Sequence, residues 1–513
     1  MIVEDQSAVV AFLTRPSTHG ETGQVEVMET HISLVFLVGD RALKLKRAVK
    51  LPYVDFSSAE RRLAACEKEV ELNSPTAPGL YLGVRQIHRD AGSRLNFDGE
   101  GELVDAVVEM VRFEQDCLFD SMATAGRLTT RQMEEVAHMI ALFHRDAPVV
   151  PAERGTANMA GVLDVNEAGF ATSTVFSTGE TDALNRAFRE ALERVSPLLD
   201  RRGEEGRIRR CHGDLHLRNI CLFRGRPRLF DCIEFNDRIA TVDVLYDFAF
   251  LLMDLWHRDL PGFANLAMNR YLDETGDEDG FVLLPFFMAV RAAVRAHVTA
   301  TQAAEAAGGG KRLAEMARSY FDLARALLRP APGGLVAVGG LSGSGKTTVA
   351  EALAPLLGAP PGARVVESDR VRKALFGVPA ETRLPDEAYA PDVSARVYNA
   401  LAERAGSILR AGGSVLVDAV FDRPGNRELV EAAASAAGAP FRGVWLEAEA
   451  AELRARVLAR AGGPSDATAA VLERQLAHDT GRITWTHVDT ARPLAAVVDE
   501  IAAIAGAATV QLR

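Results

Sequence analysis

The sequence predicts two domains of different class in one chain of 513 residues. One is an α+β domain in which a small β-rich lobe precedes a larger helical lobe; the other is an α/β domain built on a parallel sheet. Three observations carry this. Roughly the first 110 residues hold short strand patterns around one helical stretch, and helical periodicity then dominates from 129 to 329. After 335, short apolar runs alternate with helical segments, the pattern of a sheet covered on both faces. Between the two regimes lies Arg329-Pro330-Ala331-Pro332-Gly333-Gly334, where Pro and Gly stop a helix before a strand begins at Leu335. The expected domains are 1–329 and 334–513, with a weaker break at 148–151.

In order along the chain, Leu34-Val35-Phe36-Leu37-Val38, the turn Gly39-Asp40 and the alternating Ala42-Leu43-Lys44-Leu45-Lys46 form a hairpin. Its period of two sets Lys44 and Lys46 on one face. Residues 58–72 read as a helix carrying Glu67, Glu69 and Glu71. A second hairpin joins 219–223 to 228–233, and centring it near Gly225 sets Asn219 opposite Asp231. The apolar run 283–290, with Pro285, is a buried helix or helix start, and the Ala-rich tract 303–310 is a helix ending at its glycines. In the second domain, strands are expected at 335–338, 364–367, 415–417 and 444–446, and a helix at 348–357.

Composition narrows the function. Apolar residues make up 48% and charged residues 25%, ordinary globular usage. The net charge of −12 disfavours a nucleic-acid or anionic-membrane surface, which needs clustered Lys and Arg. Five cysteines, Cys66, Cys117, Cys211, Cys221 and Cys232, form no C-x-x-C pair; reduced thiols of a cytoplasmic protein are expected rather than disulfides or a zinc site. The N-terminus lacks a signal-peptide pattern, and no apolar run reaches the roughly 18 residues of a membrane span.

Two signatures carry the chemistry. The first is His212-Gly213-Asp214-Leu215-His216-Leu217-Arg218-Asn219, followed by Asp231. Phosphoryl transfer needs a carboxylate for the attacking hydroxyl and ligands for Mg²⁺. Asp214 and Asn219 have the spacing of a kinase catalytic loop. Asp214 would orient and deprotonate the acceptor, while Asn219 and Asp231 would hold Mg²⁺, with Glu234 behind them. His212 and His216 suit backbone bonding in the loop better than metal ligation. Asp247, on the helix that follows, suits a hydrogen bond to the loop backbone.

These residues resemble the aminoglycoside phosphotransferase and choline kinase superfamily, over about residues 30–328. The resemblance implies a bilobal protein-kinase-like fold with ATP between the lobes. It implies that Lys44 grips the α- and β-phosphates, with Lys46 as the alternative, and that Glu67 or Glu69 pairs with it. The adenine hinge would lie near Glu109-Met110-Val111-Arg112. No G-x-G-x-x-G precedes Lys44, so Glu29-Thr30-His31-Ile32-Ser33 is left to cover the phosphates.

The second signature, Gly340-Leu341-Ser342-Gly343-Ser344-Gly345-Lys346-Thr347, fits G-x-x-x-x-G-K-[ST]. Here Gly340, Ser342, Gly343, Ser344 and Gly345, continuing to Thr348, would wrap phosphates. Lys346 reaches the β- and γ-phosphates, and the Thr347 hydroxyl takes Mg²⁺. Asp418, at the end of the 415–417 strand, would lie near that metal. In Glu367-Ser368-Asp369-Arg370-Val371-Arg372-Lys373, a carboxylate at the strand tip sits where an acceptor hydroxyl would lie. Arg456 and Arg460, one helical turn apart, form either a solvated basic face or a lid over the phosphates.

This half resembles the small P-loop kinases: gluconate kinase, chloramphenicol phosphotransferase, zeta toxin and the kinase half of polynucleotide kinase. The resemblance implies Asp369 as catalytic carboxylate and Arg372 as a substrate or phosphate contact. In this order the whole chain resembles the bacterial bifunctional aminoglycoside phosphotransferase/ATP-binding protein family, a name that describes homology and does not identify the acceptor. The expected protein is a cytoplasmic, bifunctional kinase that uses ATP and Mg²⁺ at both sites. Its acceptor would be a small-molecule hydroxyl, with sugar or amino sugar first in order. The alternatives are one active kinase beside a regulatory ATP site, and a polynucleotide or protein kinase.

Overall fold

The computed structural model describes residues 3–51, 54–150, 154–306, 310–459 and 465–506. Contacts divide the chain into two compact units: 1–168 with 192–254, and 169–191 with 255–513.

The first unit is organised by a six-stranded antiparallel sheet. Its strands are β1 (Glu26–Glu29), β2 (Ser33–Val38), β3 (Arg41–Lys46), β4 (Tyr81–Arg89), β5 (Leu95–Phe97) and β6 (Glu102–Val111), in the order β1-β2-β3-β6-β4-β5. Helix α1 (Ser7–Thr14) packs Val9 and Leu13 on the face bearing Leu43 and Leu45. Helix α2 (Ala59–Asn73) packs Cys66 on the opposite face, against Ala42 and Val108. The period-two alternation of β3 thus turns Lys44 and Lys46 toward α2. Ser58 caps α2 by accepting from the Arg61 N–H at 3.4 Å. Helix α1 was not expected from the sequence; it is short, and only two of its residues are buried.

Helix α3 (Thr130–Asp146) opens with a capping box of Thr129 and Gln132. The second hairpin joins β7 (Ile220–Phe223) to β8 (Arg226–Leu229). Its register corrects the expectation by one residue. Arg224 (φ +51°) and Gly225 (φ +75°) both adopt left-handed conformations, so the loop is a two-residue type I′ turn and Phe223 pairs with Arg226. Phe230 therefore stands across from Asn219, its N–H donating to the Asn219 carbonyl at 3.0 Å. Asp231 comes one position later, at φ +64°, where the strand has ended. Helix α4 (Val244–His257) follows.

The second unit begins with α5 (Pro261–Thr275), α6 (Leu284–Glu305) and α7 (Gly310–Leu327). Pro285 occupies the first turn of α6, where its missing N–H leaves no helical bond unmade. Among the described residues, Phe281–Glu305 is the one helical stretch long and apolar enough to cross a membrane, and 67% of an apolar 18-residue span within it is buried in the protein.

A five-stranded parallel sheet follows: β9 (Leu335–Gly340), β10 (Arg364–Glu367), β11 (Val415–Asp418), β12 (Phe441–Glu447) and β13 (Thr486–Asp489), in the order β10-β11-β9-β12-β13. Between these strands lie α8 (Lys346–Leu353), α9 (Ser368–Leu375), α10 (Pro391–Arg410), α11 (Pro424–Ala436), α12 (Ala450–Ala459) and α13 (Ala469–Ala477), and α14 (Leu494–Ala505) closes the unit. Val336, Val338, Leu416 and Val444 pack beneath α8 and α14 on one face, and the alternate residues Leu335, Ala337, Val415 and Val417 on the other face are buried as well. Strand β13 was not foreseen, because Thr-His-Val-Asp buries only Val488.

Candidate active sites

In the first unit, the Lys44 Nζ lies 2.9 Å from Glu69 Oε1 and also bonds Asp231. Lys46 bonds the other oxygen of Glu69 and Glu234. Glu69 is thus the partner of Lys44, while Glu67, two residues away and about 200° around the helix, is exposed. Burial alone would raise the Glu69 carboxyl, but Lys44 and Lys46 outweigh it and hold it down to about 2. Burial works against the Lys44 ammonium too, yet Asp231, Glu69 and Glu234 raise it well above the ordinary lysine range. Glu234 is pushed upward by burial, with Lys46 opposing. From the hinge stretch, Glu109 pairs with Arg41 at 2.9 Å, and Met110 packs on the α2 side of the sheet.

The loop bearing Asp214 is pinned through its backbone. Asp247, fully buried on α4, accepts from Gly213 N at 2.8 Å and His212 N at 3.2 Å, and bonds His144 at 3.1 Å. Leu217 N donates to Asp254 at 3.1 Å. Burial lowers the His212 pKa and so favours the neutral ring. The ring's partners then define the tautomer: Nδ1 accepts from Asp214 N (3.3 Å) and Nε2–H donates to the Phe230 carbonyl (3.0 Å). The Asn219 amide donates to the backbone and side-chain oxygens of Asp214, both at 2.9 Å. This points its NH₂ inward and leaves Oδ1 as its acceptor. Asp214 and Asp231 keep side-chain exposures of 40% and 39%, open to a solute. An amide oxygen and a carboxylate are hard donors that fit Mg²⁺.

Two residues that sequence reasoning missed fix Asp231: Tyr81 on β4, whose hydroxyl accepts from Asp231 N at 3.1 Å, and Asn73 on α2, which accepts from Cys232 N at 2.9 Å. Neither lies at a motif spacing.

The second site is built by local backbone. Gly340, Gly343 and Gly345 have φ of +145°, +87° and +87°. A Cβ on Gly343 would come 2.6 Å from the Leu453 carbonyl, and one on Gly340 would come 2.7 Å from the Leu446 carbonyl. The loop runs directly into α8, so free N–H groups of a helix start face the concavity. Lys346 Nζ donates to the Leu341 carbonyl at 3.1 Å, and the Thr347 hydroxyl donates to Asp418 at 2.7 Å. Ser342 N donates to Gln475 on α13 at 2.8 Å, another contact without a motif. The Ser344 hydroxyl is buried and has no partner among the described residues. Positive-φ glycines, that orphaned hydroxyl and the Thr347–Asp418 oxygen pair fit a phosphate with its Mg²⁺. Thr348 is exposed in the first turn of α8.

Burial raises the Asp369 carboxyl, against a bond from the Ser465 hydroxyl and the pull of Lys346. Asp418 is likewise raised by burial, with Lys346 opposing. Glu367, at the tip of β10, is pushed up to about 7 by burial, with Arg370 and Arg270 opposing. Arg372 donates to the Ala388 carbonyl at 2.7 Å and stacks on Tyr389, 4.7 Å from the ring centre; its buried Nε has no partner among the described residues. Asp466 accepts from Lys373 and the Tyr389 hydroxyl, each at 2.5 Å. Arg456 is not brought to the glycine loop by any bond: its guanidinium is engaged by Glu452 at 2.5 Å and Thr490 at 2.8 and 3.1 Å. Arg460 lies outside the described residues.

Comparison with known proteins finds a match for each half of the chain. The phosphotransferase enzyme family profile matches residues 123–281, and an AAA domain profile matches 335–480. Uncharacterized proteins of Mycobacterium tuberculosis and Mycobacterium bovis are 31% identical over 482 residues, covering 91% of this chain and 93% of theirs. Among solved structures, a gluconokinase from Sinorhizobium meliloti is 28% identical over 35% of this chain and 94% of its own, with a TM-score of 0.25. A choline/ethanolamine kinase family protein from Mesorhizobium loti is 16% identical over 63% of this chain and 94% of its own, with a TM-score of 0.41. The chain is a phosphotransferase and belongs, with its mycobacterial relatives, to a family that fuses an aminoglycoside phosphotransferase-like domain to a P-loop kinase domain.

Proposed function

We propose that both sites transfer the γ-phosphate of ATP to hydroxyl groups of small metabolites, with a sugar or amino sugar the first candidate. The observation that supports this reading is that each site gathers a lysine, a carboxylate and further side-chain oxygens, the groups that would grip phosphate, take the acceptor's proton and hold Mg²⁺. In the first site these are Lys44, Asp214 and the pair Asn219 and Asp231; in the second, Lys346, Asp369 and the pair Thr347 and Asp418. A regulatory site needs only the binding groups.

Those lysines and oxygens would hold Mg·ATP, which would supply the phosphoryl group, with Mg²⁺ offsetting its charge. Asp214 takes the proton of the attacking hydroxyl, and the Asn219 amide keeps that carboxylate oriented. Glu69 steers Lys44 and holds its charge in a buried place. In the second site Asp369 has the same role; desolvation makes it a stronger proton acceptor than an exposed carboxylate. The net charge of −12 supports free small acceptors in the cytoplasm over nucleic acid or a membrane surface.

The test is ADP release by the full chain against sugars, aminoglycosides, nucleosides and amino alcohols, with Asp214→Ala and Lys346→Ala beside the wild type. Each productive acceptor should lose turnover, by about 10²-fold or more, in one variant and keep it in the other. Acceptor-dependent turnover lost only in Asp214→Ala for every substrate would leave the second site as a sensor.

A further inference from the structure

Strand β10 is an edge strand, and the groups it turns outward need partners. Helix α5, which precedes the glycine loop in sequence, supplies them. The Asn269 side-chain Oδ1 accepts from Val365 N at 2.8 Å and from the Arg364 guanidinium at 3.0 Å. The Asn265 amide donates to the Pro361 and Ala363 carbonyls, both at 3.0 Å. Both asparagines are buried, at 2% and 3% exposure, so this is a built interface rather than a surface graze.

The same helix then reaches the flanks of the second site. Arg270, with 11% side-chain exposure, donates to Glu351 on α8 at 2.9 Å and lies 3.6 Å from Glu367 at the tip of β10. Asp273 lies 3.6 Å from Arg370, which itself donates to Glu367 at 3.1 Å. Glu351 stands one turn beyond Thr347 on the same face of α8. Glu367 is the ladder partner of Asp418, and two residues later the chain places Asp369 in the first turn of α9. Two buried carboxylates at adjacent strand ends repel, so the geometry of this pair depends on countercharge near Glu367. Arg270 and Arg370 are the two cations that supply it.

We propose that Arg270 is a positioning residue for the second phosphotransfer site, holding Glu351 and Glu367 so that Thr347, Asp418 and Asp369 stay in register. The site is then completed by a helix upstream of the P-loop fold. The inference rests on the reading of that site as a Mg·ATP centre.

The test uses the full chain with turnover at the first site silenced by Asp214→Ala and its metal-dependent nucleotide binding by Asp231→Ala. Arg270→Met and Arg270→Lys are made in it, with Asn265→Ala as a control for simple loss of packing. Two readouts are taken: ADP release from Mg·ATP with water as acceptor, and the Mg²⁺ half-saturation for binding a fluorescent ADP analogue. Arg270→Met should lower kcat and raise the Mg²⁺ half-saturation, each about ten-fold. Arg270→Lys should recover most of both, and Asn265→Ala should lower the melting temperature without moving the half-saturation. The proposal is overturned if Arg270→Met leaves the half-saturation within about two-fold of the parent, or if Asn265→Ala shifts it equally at equal loss of melting temperature. ADP release that is indifferent to Lys346→Ala would instead sink the reading of the second site as a kinase. The binding readout would still judge Arg270.

Discussion

The two sites place the same kinds of groups by opposite means. In the second, the chain's own backbone does most of the placing: glycines at positive φ bend the loop, α8 starts at once, and Lys346 and Thr347 follow within the same turn. In the first, almost nothing is local. Lys44 is positioned by Glu69 and Asp231, the Asp214 loop by Asp247 and Asp254, and Asp231 by Tyr81 and Asn73. A backbone-built loop fails on a single added Cβ. Charge-built sites tolerate local backbone change and fail when one countercharge is removed.

Three perturbations test this contrast. The largest effect is expected from Glu69→Gln, which leaves two buried lysines without a shared counterion. It should destabilise the first unit by about 3 kcal/mol, read from the denaturant midpoint. Glu67→Gln, on the exposed face of α2, should stay within about 0.5 kcal/mol. If the two variants behaved alike, the ion network would not be what holds the first site. Next, Gly343→Ala should weaken nucleotide binding at the second site about ten-fold, or about 1.4 kcal/mol, within the roughly 1–3 kcal/mol that such backbone strain costs, and leave first-site turnover unchanged. An unaffected affinity in equilibrium titration would show that the loop relaxes.

The third test is in acid. The Glu69 pKa is depressed in the fold, so its stabilisation is present above the unfolded value of about 4.3 and is lost as pH falls from there through about 2. The first unit should lose stability over that window, and Glu69→Gln should flatten the profile there. A wild-type profile as flat as the variant's would contradict the depressed carboxyl.

Legibility from sequence followed the same division. The glycine loop, Lys346 and Thr347 could be read residue by residue, because a local turn has a local signature. The catalytic loop was legible for the same reason. Choosing Glu69 over Glu67 was not, since both lie on one helix and only the packing of α2 on the sheet says which face meets β3. The hairpin register slipped by one because Gly225 signals a positive φ, while the matching conformation at Arg224 has no residue-level cue. Tyr81, Asn73, Gln475 and the α5 asparagines carry no spacing signal at all; they act through tertiary contact.

The covering of β10 by α5 has a practical consequence for dissecting the chain. The Pro-Gly stretch before Leu335 invites a cut there, yet a fragment starting at 334 would lack Asn265 and Asn269. Its outermost strand would offer bare amide and carbonyl groups to any neighbouring chain, a template for cross-molecule strand addition and precipitation. A fragment meant to stay dispersed in solution has to begin before Pro261.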